Sequence, residues 1–215
     1  TFDATVSQYA QGETEVIYPM SLKSGENALF WFSRPSDSNK FTGTSIKYCW
    51  GEPGTSNSSS TTPAIEVTIY YTTTPGDYST VRVARAVLDP NSSRTTSNYF
   101  NTGTSQTCTI ADESFAFQTT LDLDASIPTG LGITGSAVPE VLQYSTVRFL
   151  YNTDKGYKVG IDVTGNGSVL PSQGEKVISN GAFGDSNRRV EVYQMFSEVP
   201  PVFYNAIFSS SGIVK

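Results

Sequence analysis

Hydrophobic positions in this chain recur with a period of two and are interrupted every few residues by turn-forming clusters. That rhythm belongs to short antiparallel strands. The clearest run is Ala64–Thr72, where Ile65, Val67, Ile69 and Tyr71 alternate with polar neighbours. Ser45–Trp50 places Ile46, Tyr48 and Trp50 on one side, and Ser114–Leu123 does the same with Phe115, Phe117, Thr119 and Leu121. Glu15–Ser21, Ala28–Ser33 and Thr80–Leu88 read as further strands, the last with Val81 and Val83 inward together with Ala86 or Leu88. Gln143–Tyr151 and Tyr157–Val163 are expected to pair across the turn-rich Asn152–Gly156.

Two end segments complete the pattern. Lys176–Ser179 and Arg188–Met195 predict a hairpin, with Val190, Val192 and Gln194 on one face and Arg189, Glu191, Tyr193 and Met195 on the other. Pro200–Pro201 ends that strand, and Val202, Phe203, Ile207 and Phe208 form an apolar closing segment. At the other end Phe2, Val6, Tyr9 and Ala10 fit a short helix stopped by Gly12, while Phe2, Ala4 and Val6 fit a strand equally well. The sum is an all-β chain, mainly an antiparallel β-sandwich of roughly eleven strands with at most a short N-terminal helix stub. It reads as a single domain over residues 1–215, with a candidate internal boundary in the Gly/Pro-rich stretch near residues 125–140. Two polar stretches stand apart: Pro53–Pro63, too polar to pack, and the long irregular excursion Asp89–Thr107.

Composition sharpens this picture. Charged residues are only 16% of the chain and aromatics 12%, which suits an extracellular all-β protein better than a cytosolic enzyme. A net charge of −6 argues against nucleic-acid binding, which needs a basic face. No run of apolar residues is long enough to span a membrane. Cys49 and Cys108 have no metal-site spacing. A disulfide is the leading reading, two buried free thiols the alternative.

Candidate chemistry is thin. The chain has no histidine, which removes His-dependent triads and the commonest metal ligand. Asp112–Glu113 and the pair Asp122 and Asp124 are close carboxylates of the kind a glycosidase could use, and solvated surface acids are the plainer reading. A calcium loop at Asp122, Asp124 or Asp162 lacks the dense oxygen pattern such loops carry. No cofactor, metal or catalytic residue is expected. Trp31 and Trp50 are the candidate ligand-stacking aromatics, with core packing as the competing role. Arg188 and Arg189 are the candidate subunit contact, against a loop-end ion pair with Asp185 or Glu191.

The stretch from Leu170 to Ser209 carries a family resemblance. Leu170, Pro171 and Gln173 are followed by Ile178, Ser179 and Gly181, then Arg188, Arg189, Val190, Glu191 and Val192, then Pro200, Pro201, Phe203, Ala206, Ile207, Phe208 and Ser209. This series resembles the C-terminal end of type IV pilin-like proteins of the PilX type. The resemblance implies a head domain that joins a surface filament with other pilin subunits, anchored beforehand in the membrane through the family's long apolar N-terminal helix. It implies a structural protein at the cell surface, a minor or tip subunit whose polar loops face host or partner-cell ligands, and no enzyme. The rival expectation is a carbohydrate-binding or glycoside-active jelly-roll-like sandwich.

Overall fold

The computed structural model describes residues 2–102, 106–126, 130–164, 168–183 and 186–196. The alternation dictates two layers. One sheet has the order β3-β11-β5-β6-β7, built from Asn27–Trp31, Leu142–Leu150, Ala64–Thr72, Val81–Asp89 and Asn101–Thr102. The other has the order β10-β4-β12-β2, built from Phe117–Asp122, Ser45–Trp50, Val159–Asp162 and Glu15–Ile17. All pairings are antiparallel except β6 with β7, which is parallel over two residue pairs. A small sheet of β8 (Cys108–Ile110) and β9 (Glu113–Phe115) lies beside the second layer.

The core lies between the layers and follows the period-two reading. Ile46, Tyr48 and Trp50 meet Ile65, Val67, Ile69, Val147, Phe149 and Phe30, all nearly or fully removed from solvent. At about 25 cal/mol per Å² this burial is the main force holding the layers together. Polar bonds also cross it: the Tyr48 hydroxyl donates to Ser145 Oγ at 3.2 Å in the buried interior. Trp50 is wholly buried, and its indole N–H donates to the Pro63 carbonyl at 2.9 Å. Cys49 and Cys108 are disulfide-bonded, which fastens β8 to β4.

Several expectations are corrected. Of the two readings for the N-terminal segment the strand holds and the helix stub does not: residues 2–9 form β1 (Phe2–Tyr9), and the helix is α1 (Ser92–Asn98), inside the excursion expected to be irregular. Asn91 starts it by accepting from the Ser93 amide, and Tyr99 ends it in the left-handed conformation. Ser114–Leu123 is broken at Ala116 into β9 and β10. β11 and β12 do not pair with each other; they sit in different sheets. Asn152, fully buried, directs that crossing by donating to the carbonyls of Leu22 and Lys155. In β6 the inward side is Ala84, Ala86 and Leu88, while Val81 and Val83 are 38% and 49% exposed. A strand cannot turn positions of both parities inward, and pairing of Leu88 with Ile65 decides the phase.

The stretch near residues 125–140 joins β10 of one layer to β11 of the other and places Ile133 in the common core. The Pro53–Pro63 loop is held by hydrogen bonds where apolar contacts are missing. Arg94 on α1 donates to the carbonyls of Ser60 and Thr62 and makes two bonds, 2.7 and 3.0 Å, to the buried Asp89 carboxylate.

Candidate functional site: an amphipathic three-stranded ribbon

The third sheet stands apart from the sandwich. It has the order β1-β13-β14, with β13 at Gly174–Phe183 and β14 at Ser186–Met195. The predicted hairpin therefore exists and is longer than the sequence implied, ten residues in each strand. Residues 10–173 make the sandwich between β1 and β13, so the chain enters and leaves it side by side.

Register assigns every side chain to a face, because directly opposed residues share one. Phe2, Gly181 and Arg188 form one row. Ala4, Ser179 and Val190 form the next, then Val6, Val177 and Val192, then Gln8, Glu175 and Gln194. This face is apolar over its middle and open: Phe2 is 77% exposed, Val6 62%, and Val190 and Val192 53% each. The opposite face carries Asp3, Asn180 and Arg189, then Thr5, Ile178 and Glu191, then Ser7, Lys176 and Tyr193.

Charges on that second face pair with one another. Glu191 accepts from Arg189 at 2.6 Å, from Lys176 at 3.0 Å and from the Tyr193 hydroxyl at 3.0 Å. Lys176, then Arg189 and Tyr193, hold the Glu191 carboxyl down to about 2. Arg188 and Arg189, adjacent in sequence, thus project to opposite sides. Arg189 belongs to the Glu191 cluster, Arg188 borders the apolar face beside Phe2, and Asp185 lies outside the described residues.

The base of the ribbon is fastened to the sandwich. Gln173 receives the Trp31 amide on Oε1 at 2.8 Å and returns Nε2 to the Trp31 carbonyl at 3.0 Å. Its own amide reaches Tyr9 at 2.8 Å. Asp37, almost fully buried, accepts from the amides of Ser172 and Asn39 and from Gln11. Burial works to raise its pKa, but these donors outweigh it and hold the carboxyl below its ordinary value. Tyr9 packs edge-on against Tyr193 with centroids 4.9 Å apart. Burial, then the neighbouring Tyr193, pushes the Tyr9 phenol up to about 12. Gly174 lies so close to β14 that a Cβ there would stand 2.5 Å from the Gln194 carbonyl oxygen.

The remaining sequence candidates are scattered. Trp50 is core, so its stacking role is withdrawn. Trp31 lies on the outer face of the five-stranded sheet in a row with Tyr144 and Tyr70. Tyr144 stacks on Tyr70 at 4.5 Å and lies 5.2 Å from Trp31. Asp122 accepts from the amides of Asp124 and Ala125, and Asp124 from that of Ser136. Glu113 pairs with Lys158, Asp162 with Lys47. None of these acids faces another across a cleft, and among the described residues no three acidic or cysteine side chains converge as a metal cage. No helix among the described residues is long and apolar enough to cross a membrane. Val202, Phe203, Ile207 and Phe208, and the Pro200–Pro201 bend before them, lie outside the described residues. What sequence reasoning missed is the part of β1 in the site; its alternation of Phe2, Ala4 and Val6 was the available signal.

Comparison of the chain with protein-family models, with curated proteins and with solved structures finds no match in any of the three.

Proposed function

We propose that this chain is a structural subunit, minor or tip pilin-like, of a type IV pilus-type surface filament. The observation that carries the reading is the ribbon. The residues of the resemblance, Ile178, Ser179, Gly181 and Arg188–Val192, supply two of its three strands, and its apolar face has no cover among the described residues. An exposed apolar sheet face is costly in water and marks an assembly surface. The family's long apolar helix, or a neighbouring subunit, is the cover this reading assigns to it, with Arg188 at its border as a polar contact. The sandwich then projects from the filament as the part that meets other surfaces. Function in this reading is contact, outside the cell, with neither cofactor nor catalysis.

The test is made in cells carrying the whole gene. Antibody raised against residues 10–173 should decorate surface filaments in immunogold electron microscopy, and Val192→Asp should abolish decoration while the purified chain keeps its unfolding temperature. Unlabelled filaments, or labelling unaffected by Val192→Asp, would sink the proposal.

Saccharide binding is the second reading, favoured by one observation. Trp31 ends an aromatic row, and its buried indole N–H has no acceptor among the described residues. Against it, Tyr144 is stacked between its neighbours, leaving little free ring face. Glycan-array binding lost on Trp31→Ala would displace the filament proposal.

A further inference from the structure

On one side of the sandwich, β6 of the five-stranded sheet and β10 of the four-stranded sheet each carry a long ladder on a single flank. β6 is laddered to β5 along its full length, but its other edge meets only β7, at Leu88 and Asp89. From Val81 to Val87 that edge has no strand partner among the described residues. Across from it β10 pairs, among the described residues, only with β4. Between them runs a groove of about 670 Å³. Its floor is made of small or recessed side chains, Ala84, Ala86, Leu88 and Leu121. Its outer lip is the backbone of β6 with Val83.

The geometry points to a strand-addition site for an extended peptide that has apolar residues at alternate positions and an acidic residue near one end. Three features select that occupant. An unpaired strand edge presents N–H and C=O groups that another strand satisfies best. The alanines leave room for every second side chain of such a strand to enter the groove, and the others would lie along Val81 and Val83. The charges at the rim are unequal. Arg85 lines the groove with its side chain 57% exposed and only a 3.5 Å contact to Glu66. Arg82, exposed farther along the edge, has no carboxylate partner among the described residues, while the Asp122 carboxylate opposite keeps its charge and accepts two backbone amides on Oδ1. An acidic residue at the Arg82 end of a docked strand therefore meets a cation with no carboxylate partner among the described residues. β7 already begins a ladder on this edge, and a docked strand continues it. The site lies away from the ribbon and does not depend on the filament proposal.

The probe is a capped heptapeptide, Glu-Val-Thr-Val-Thr-Val-Thr, titrated into the 215-residue chain while backbone amide exchange is followed by NMR. Exchange at alternate amides of Val81–Val87 should slow by about tenfold or more at saturation, because new ladder bonds must open first. The same peptide N-methylated at alternate residues, and the intact peptide on Ala84→Phe, should each bind about tenfold more weakly. The methylated peptide needs no variant, so it keeps the test decisive if Ala84→Phe misfolds. Unchanged exchange across Val81–Val87 at millimolar peptide overturns the assignment, as does equal binding of the methylated probe.

Discussion

Arg94 shows how a single side chain can hold a polar segment that has nothing apolar to bury. Its guanidinium spans Asp89, Ser60 and Thr62 and lies 4.0 Å over the Tyr151 ring. Asp89 is completely buried, so removing its partner strands a charge away from water. Arg94→Ala should therefore cost about 3–5 kcal/mol in urea unfolding. Asp89→Leu combined with Arg94→Met should recover part of that loss, since no charge is left behind. Asp37 provides a second residue-level test. Its folded pKa lies below the ordinary value, and so does that of Asp162, where burial is outweighed by Lys47 and Thr164. The stability they contribute is complete above the unfolded carboxyl range, about pH 4, and is lost as pH falls through the folded values. Urea midpoints should be flat near neutrality and drop in acid. Asp37→Asn should be less stable at pH 7 and show a shallower acid decline.

Among the elements, the ribbon depends on close approach at its root. Gly174→Val would drive a branched side chain into the Gln194 carbonyl and should destabilise the β13–β14 pair by about 1–3 kcal/mol. Hydrogen exchange should then quicken over residues 175–195 while the sandwich amides stay protected; equal loss in both would show that they are one cooperative unit. Strand positions were legible where alternation was strong, as in β4 and β5, whose ends coincide with the sequence reading. β6 was misphased because Val81 and Val83 have higher strand propensity than Ala84 and Ala86, yet the cross-strand partner of Leu88 chose the inward side. α1 was missed because its seven residues have no apolar stripe; caps and Arg94 hold it, and neither leaves a period.

For the molecule as a whole, the disulfide closes a loop with a sequence separation of 59 and links the small β8–β9 sheet to the four-stranded layer. On the chain-entropy model reduction should cost about 4 kcal/mol. Thermal unfolding with and without reductant measures it, and a Cys49→Ala/Cys108→Ala chain should match the reduced protein. The ribbon's two faces were partly readable in advance, since Val190 and Val192 against Arg189 and Glu191 is a local alternation. That β1 completes it was not, because the whole sandwich separates β1 from β13 in sequence.

By itself the sequence determined the all-β character, the strands rich in alternating Ile, Val, Tyr and Phe, and the absence of histidine chemistry. These follow from side-chain identity and from a period that is local to each strand. Tertiary structure alone decided which strands pair, that β11 and β12 part into different layers, that Trp50 is core while Trp31 is half-buried on an outer sheet face, and that an apolar face and an open edge are left without partners among the described residues. Pairing over long sequence distances depends on which faces can be buried together, and no window of neighbouring residues contains that information.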